Sequence, residues 1–326
     1  MIKKNIKIIC TLGPSSINKK FLKFAKINGV NLLRLNMSHL SISSLKSSIN
    51  FIKKNSSIPI CIDTEGAQIR TKIKKKRFIR LGQKIEIGTL KGNFSLYPTS
   101  IHKKIRLNDV LSIGFDNLKV KVVSTKSKLI CRAISAGKLE NNKGVHVENR
   151  KIKIDYLTKK DFEAIKIAKS LKIKNFALSF TNSVADIIKF NKFLSNENKI
   201  FKIETLSACK NFNEIIKHAD NFLIDRGDLS KDIKIENIPI AQRDLFRIKS
   251  KRKNKNIFVA TNLLESMLQN NYPTRGEAND IFNSLEMGAN GLVLAAETAI
   301  GKNPIGSVEF LKKMITTFKK SKYRNY

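Results

Sequence analysis

The stretch Asn31–His39, "NLLRLNMSH", decides how the rest of the chain is read. Leu33, Leu35 and Met37 share one parity, and Arg34, Asn36 and Ser38 share the other. Successive side chains of a strand point to opposite faces, so this is a strand with one apolar and one polar face. Helix-like segments flank it on both sides, which predicts a parallel sheet covered by helices. Strands of such a sheet are ordinarily apolar on both faces. Arg, Asn and Ser on an inner face therefore need a reason.

Outward from this stretch, eight short β-rich runs recur: "NIKIICT", "NLLRLNMS", "PICIDTEG", "NFALSF", "IFKIET", "NFLIDRG", "NIFVATN" and "GLVLAAET". Amphipathic helical segments lie between most of them. "SINKKFLKFAKING" is expected to start near Ser16 and stop at Gly29. "TKKDFEAIKIAKSLKI" places Phe162, Ile165, Ile167 and Ala168 near one helix face. Eight strands alternating with helices predict a (β/α)8 barrel, formed by residues 1–70 and 156–326. Residues 71–155 break the rhythm with short strands and turn punctuation, and read as a small β-barrel-like lid domain inserted after strand three.

Active sites of such barrels sit at the C-terminal ends of the strands. Polar residues collect there: Arg34, Asn36 and Ser38 on strand two, Asp63 and Thr64 on three, Ser179 on four, Lys202 and Glu204 on five. Arg226 and Asp228 follow strand six, Thr261 ends seven, and Glu297 and Thr298 end eight. An active-site ring explains the polar inner face of the opening stretch; ordinary strand-end polarity is the competing explanation.

Composition bounds the partners. The 326-residue chain carries a formal net charge of +37, from 63 Lys and Arg against 26 Asp and Glu. The lysines are scattered, with no aromatic-interleaved basic module, so compositional drift fits better than specific nucleic-acid binding. No apolar run approaches the roughly 18 residues of a membrane span, and no signal peptide is recognisable at the N-terminus. Cys10, Cys61, Cys131 and Cys209 are widely spaced, which fits reduced thiols in a cytoplasm.

Glu204 and Asp228 are carboxylates on neighbouring strands, a set suited to a hard divalent cation completed by substrate oxygens. Lys202 and Arg34 add positive charge beside them, as phosphoryl transfer requires. A structural Lys202–Glu204 ion pair at the rim is the alternative, and the substrate stays open at this level.

The motifs themselves resemble those of the pyruvate kinase family. "KIICTLGPSS" is similar to its first strand and C-T-x-G-P turn, "RLNMSH" to R-x-N-x-S-H, and "IDTEGAQIRT" to D-T-K-G-P-E-I-R-T. "KIETLSACKNFNEII" resembles the K-I-E-N strand and its helix, and "DRGDLS" resembles A-R-G-D-L-G. "VATNLLESMLQNNYPTRGEANDIFNSLEMGANGLVLAAETAIGKNP" follows the family's A-T-Q-M-L-E-S-M … P-T-R-A-E … S-G-E-T-A-x-G signature, and "NNKGVHV" matches K-G-V-N of the inserted domain.

The resemblance implies phosphoryl transfer from phosphoenolpyruvate to ADP, giving pyruvate and ATP in the last step of glycolysis. It implies Lys202 and Arg34 at the phosphoryl group, Mg2+ (or Mn2+) on Glu204 and Asp228, and K+ on Asn36, Ser38, Asp63 and Thr64. Thr261 would assist protonation of the enolate, Ser179 with the Gly227–Asp228 backbone would seat the substrate carboxylate, and His39, Arg70 and Lys143 would face the nucleotide. A homo-oligomer through the barrel is compatible with this reading.

Departures from the pattern are Glu65 for Lys, Ala67 for Pro, Gln68 for Glu, Asp225 for Ala, Ser230 for Gly, "LAAETAIG" without the Ser-Gly pair, and "GFDN" around Asp116. The family's C-terminal α/β domain has no counterpart after "FLKKMITTFKK", so family-type allosteric control is not expected. The other readings are a diverged barrel enzyme using the same metal–enolate site on another 2-oxo acid or phosphoester, and, from charge alone, a nucleic-acid-binding protein.

Overall fold

The computed structural model describes residues 5–66, 68–88, 93–114, 118–126, 128–148, 150, 152 and 154–321. Two departures from the family pattern, Ala67 and the "GFDN" segment at Asp116, thus lie wholly or mostly outside the described residues. The chain divides into two compact units, Met1–Gly66 with Lys159–Tyr326, and Ala67–Thr158.

The first unit is a closed parallel barrel. Its strands are β1 (Lys7–Thr11), β2 (Leu32–Asn36), β3 (Ile60–Asp63), β4 (Asn175–Leu178), β5 (Asn198–Ile203), β6 (Asn221–Asp225), β7 (Asn256–Ala260) and β8 (Gly291–Leu294). They pair in sequence order, and β8 closes on β1 with Lys7 opposite Gly291. Gly291 is required there, because a Cβ would stand 2.5 Å from the Lys7 carbonyl oxygen.

Each strand is followed by a helix: α1 (Lys19–Ile27), α2 (Ile42–Asn55), α3 (Lys159–Ser170), α4 (Val184–Phe193), α5 (Leu206–Ile215), α6 (Ile238–Ser250), α7 (Arg275–Glu286) and α8 (Pro304–Lys320). Capping boxes, Ser183 with Asp186 and Thr274 with Glu277, start α4 and α7 by satisfying otherwise orphaned amides. Helix α1 begins later than expected. Asn18, not Ser16, caps it, because its side chain accepts from the Phe21 amide while Ser16 Oγ turns back to the Gly13 amide. The buried face of α3 is Asp161, Ala164, Ile165 and Ala168. Phe162, expected on that face, is 42% exposed and stacks edge-on against Phe193.

Inside the barrel, Ile9, Leu223, Phe258, Ala260 and Val293 form an apolar plug, with Leu32 and Ile200 packed on it. These positions fix the parity. Two residues beyond Leu32, Ile200 and Leu223 come Arg34, Lys202 and Asp225, so the layer above the plug, at the C-terminal ends, is charged. Leu33 and Leu35 are buried on the opposite parity.

The second unit holds a seven-stranded antiparallel sheet in the spatial order 84–87, 129–133, 118–124, 110–113, 144–147, 69–73, 94–97, and a two-stranded ribbon of 77–79 with 137–139. Alternation in Leu118–Ser124 buries Leu118, Val120 and Val122 in its core. Arg70, assigned to the barrel by sequence, belongs to the 69–73 strand of this sheet, where it pairs opposite Gly144 and Tyr97. The four cysteines are free thiols. Among the described residues no helix is long and apolar enough to cross a membrane.

Candidate active site

The charged layer centres on Lys202. Its side chain is 4% exposed, and Nζ lies 3.0 Å from Glu204 Oε2, 3.3 Å from Asp225 Oδ2 and 3.5 Å from Asp63 Oδ2. It also donates to Ser179 Oγ at 3.2 Å. Arg34 Nε stands 3.5 Å from the same Asp63 oxygen, and Arg34 Nη1 is buried without a hydrogen bond among the described residues. Strand register brings these groups together, since Asn36 is level with Asp63 and Asp63 with Ala177.

Asp63 and Thr64 are held by β4. Ser179 donates its amide to Thr64 Oγ1 at 2.9 Å and its hydroxyl to the Thr64 carbonyl at 2.7 Å and to Asp63 Oδ1 at 3.2 Å. Ser179 therefore braces the Asp63–Lys202 end. Gly66, at φ +71°, turns the chain beneath it, and a Cβ there would meet Ser179 Cβ at 2.7 Å. Asp161 of α3 fixes this turn by accepting from the Glu65 and Gly66 amides at 2.6 and 3.0 Å. Lys160 beside it reaches Glu65 at 3.3 Å and donates to the Met37 carbonyl. A buried Asp on an otherwise apolar helix face was the available signal for Asp161, and sequence reasoning passed over it.

At the other end, Thr261 adopts φ +68°, a genuine outlier for a β-branched residue. Its hydroxyl accepts from the Gly227 amide at 2.8 Å and lies 3.3 Å from Asp225 Oδ1. Arg226 does not enter the ring. It clamps Asp280 at 2.7 and 2.8 Å and donates to the Thr261 carbonyl, holding the strained turn. Glu297 and Thr298 are likewise internal braces: Glu297 accepts from the Leu264 and Ala295 amides, and Thr298 donates to the Thr11 carbonyl.

One carboxylate oxygen from each of Glu204, Asp225 and Asp228 lies within 4.8 Å of the others. Asp225 is the member of this carboxylate group that the sequence-derived ring omits, although it is two positions from Leu223 and hence on the inner face. Asp228 is also paired with Lys231. Burial pushes Glu204 up to about 8; Lys202 opposes this, while Asp228, Asp225 and Asp63 add to it. Burial alone would lower Lys202, but Asp63, Glu204 and Asp225 outweigh it and its pKa is raised. The layer thus holds more carboxyl groups than cationic side chains. Glu204 Oε2 is buried and accepts no hydrogen bond. An all-oxygen set of carboxyl groups fits a hard divalent cation, which would return Glu204 to its ionised form.

Of the residues expected to hold a monovalent cation, two are placed by local bonding and register. Asn36 Oδ1 accepts from the Ser38 amide at 2.9 Å, and Asn36 is level with Asp63. Of the residues expected to face a nucleotide, His39 is exposed on the barrel unit. Arg70 and Lys143 are brought together in the second unit, where Arg70 donates to the Asn142 carbonyl at 3.2 Å and Lys143 pairs with Glu140 at 3.0 Å.

Fold and site together define a (β/α)8-barrel phosphotransferase, with Lys and Arg facing carboxylates at the strand ends. The family model for the pyruvate kinase barrel domain matches residues 3–308. The pyruvate kinase of Thermotoga maritima is 33% identical over 95% of this chain and 70% of its own length. That of Methanocaldococcus jannaschii is 33% identical over 95% and 69%, and the plastidial pyruvate kinase 3 of Arabidopsis thaliana 30% over 95% and 57%. The chain belongs to the pyruvate kinase family.

Proposed function

We propose that the protein transfers the phosphoryl group of phosphoenolpyruvate to ADP, giving ATP and the enolate of pyruvate, which then takes up a proton at carbon. The observation that carries this is the buried Lys202, framed by Asp63, Glu204 and Asp225 and next to Arg34, in a chain of this family. Lys202 and Arg34 would offset the charge of the moving phosphoryl group; the unbonded Arg34 Nη1 leaves a buried donor for a phosphoryl oxygen.

Glu204 and Asp228 would hold Mg2+ or Mn2+, which when bound neutralises charge on the substrate oxygens. Asn36, Ser38, Asp63 and Thr64 would hold K+. Gly227 and Asp228 would seat the substrate carboxylate, Thr261 would steer the proton at the enolate, and Ser179 would orient Lys202. His39, Arg70 and Lys143 would contact the nucleotide. The reading is tested by a coupled assay with phosphoenolpyruvate, ADP and Mg2+, with and without K+. ATP formation that needs all three supports it; no ATP under any of these conditions refutes it.

A further inference from the structure

Asp225 stands where the family pattern has Ala, and its carboxylate is buried in the charged layer with 4% exposure. Its contacts among the described residues are all long: 3.3 Å to Lys202 Nζ, 3.3 Å to Thr261 Oγ1 and 3.5 Å to the Asp228 amide. Charge-assisted hydrogen bonds to a carboxylate run at about 2.7–2.9 Å, so this buried charge is poorly satisfied. Among the described residues Glu204 Oε2, beside it, accepts no hydrogen bond and has the Lys202 ion pair. Two cationic side chains, Lys202 and Arg34, face the three carboxyl groups of Asp63, Glu204 and Asp225, while Asp228 has Lys231.

We propose that Asp225 is a third carboxylate ligand for the divalent cation, making a Glu204–Asp225–Asp228 site that takes up the ion before any anionic substrate. The proposal rests on the reading of Glu204 and Asp228 as metal ligands. A site with two carboxylates depends on substrate oxygens to hold Mg2+, whereas a third raises affinity through ligand charge. The same extra charge repels a phosphate- or carboxylate-bearing substrate until the cation is in place. Oxygens of one shell lie at most about twice the metal–oxygen distance apart, roughly 4.2 Å for Mg2+ and up to about 5 Å for larger ions. With one oxygen of each carboxylate within 4.8 Å of the others, the three are close enough to converge on one cation.

The test is calorimetric titration of Mn2+ into the EDTA-treated full chain without substrate, for the parent and for Asp225→Ala, Asp225→Asn, Asp228→Asn and Glu204→Gln. Thermal melts check each fold. Asp225→Asn retains an oxygen that can cap the Asp228 amide, so a mere capping role leaves it equal to the parent. The expected result is Mn2+ binding weakened by about tenfold or more in both Asp225 variants. Affinities within about twofold of the parent in Asp225→Asn, with Asp228→Asn and Glu204→Gln impaired, overturn the role of Asp225 alone. Unchanged binding in all four overturns the underlying metal reading as well, whereas no Mn2+ binding by the parent without substrate overturns the three-carboxylate site and leaves a two-carboxylate site that needs substrate oxygens.

Discussion

Lys202 Nζ stands 3.0 Å from Glu204 Oε2, the two side chains rising two residues apart from the same strand and both nearly sealed from water. Their parity makes them neighbours, and the apolar plug beneath leaves them no solvent to turn to. Glu204 is fixed from its other oxygen by the Phe180 amide at 2.6 Å. The pair is therefore held in place before any ligand arrives.

Replacing Lys202 by Met should leave Asp63, Glu204 and Asp225 without their shared cation. Removing one partner of a buried pair costs about 3–5 kcal/mol. The raised pKa of Lys202 means that its stabilisation is fully present below the unfolded lysine value of about 10.4 and fades only as pH climbs through the still higher folded value. Urea unfolding at pH 7 should show the loss, and millimolar Mn2+ should restore part of it. A loss below about 1 kcal/mol would mean that the carboxylates find other partners.

Asp228→Asn removes a charge from the proposed metal-binding set while keeping its shape. Turnover at millimolar Mg2+ should fall by at least about 10²-fold, with the thermal midpoint little changed. Turnover within about twofold of the parent would take Asp228 out of the metal-binding role.

The barrel and most of its ring were legible because both rest on local rules. Period-two parity pointed Arg34 and Lys202 inward, and parallel βα alternation put their strand ends at one mouth. Asp225 obeyed the same parity but was read as a departure from a motif rather than as an inward carboxylate. What Thr261 does through φ +68° was not legible, since that conformation is imposed by Arg226 and Asp280 from distant elements. The exposure of Phe162 depended on how α3 is rotated about its axis, which the buried bonds from Asp161 to the Glu65 and Gly66 amides help to fix.

In the second unit, Asp109 is 1% exposed and accepts from Arg150 Nε at 2.9 Å, Arg150 Nη2 at 2.7 Å and the Arg106 amide at 2.8 Å. Burial alone would raise its pKa, but these bonds outweigh it and hold it below the usual carboxylate range. A depressed folded value gives stability that is present above the unfolded pKa of about 3.9 and is lost as pH falls through the folded one. Arg150→Met should destabilise the protein by about 1–3 kcal/mol at pH 7. The gap between variant and parent should close in denaturant titrations below about pH 4; a gap independent of pH would assign the effect to packing of the arginine stem.

The final prediction concerns the monovalent cation. Asn36, Ser38, Asp63 and Thr64 keep the oxygens that resemble the family's potassium site. In the family a Glu at the Gln68 position accompanies potassium dependence and a Lys there accompanies independence, the ammonium standing in for the ion. Gln68 brings no charge of its own. Asp63 already draws on both Arg34 and Lys202, each at 3.5 Å, so a phosphoryl group arriving there would have to share those cations. Lack of one positive charge in a preorganised site costs a few kcal/mol, or about 10²–10³ in rate. Potassium should therefore activate turnover by about that factor. Rates are to be compared at equal ionic strength in potassium and in tetramethylammonium buffers, so that screening of the +37 charge is the same in both. Equal rates in the two buffers would show that these oxygens no longer serve a cation.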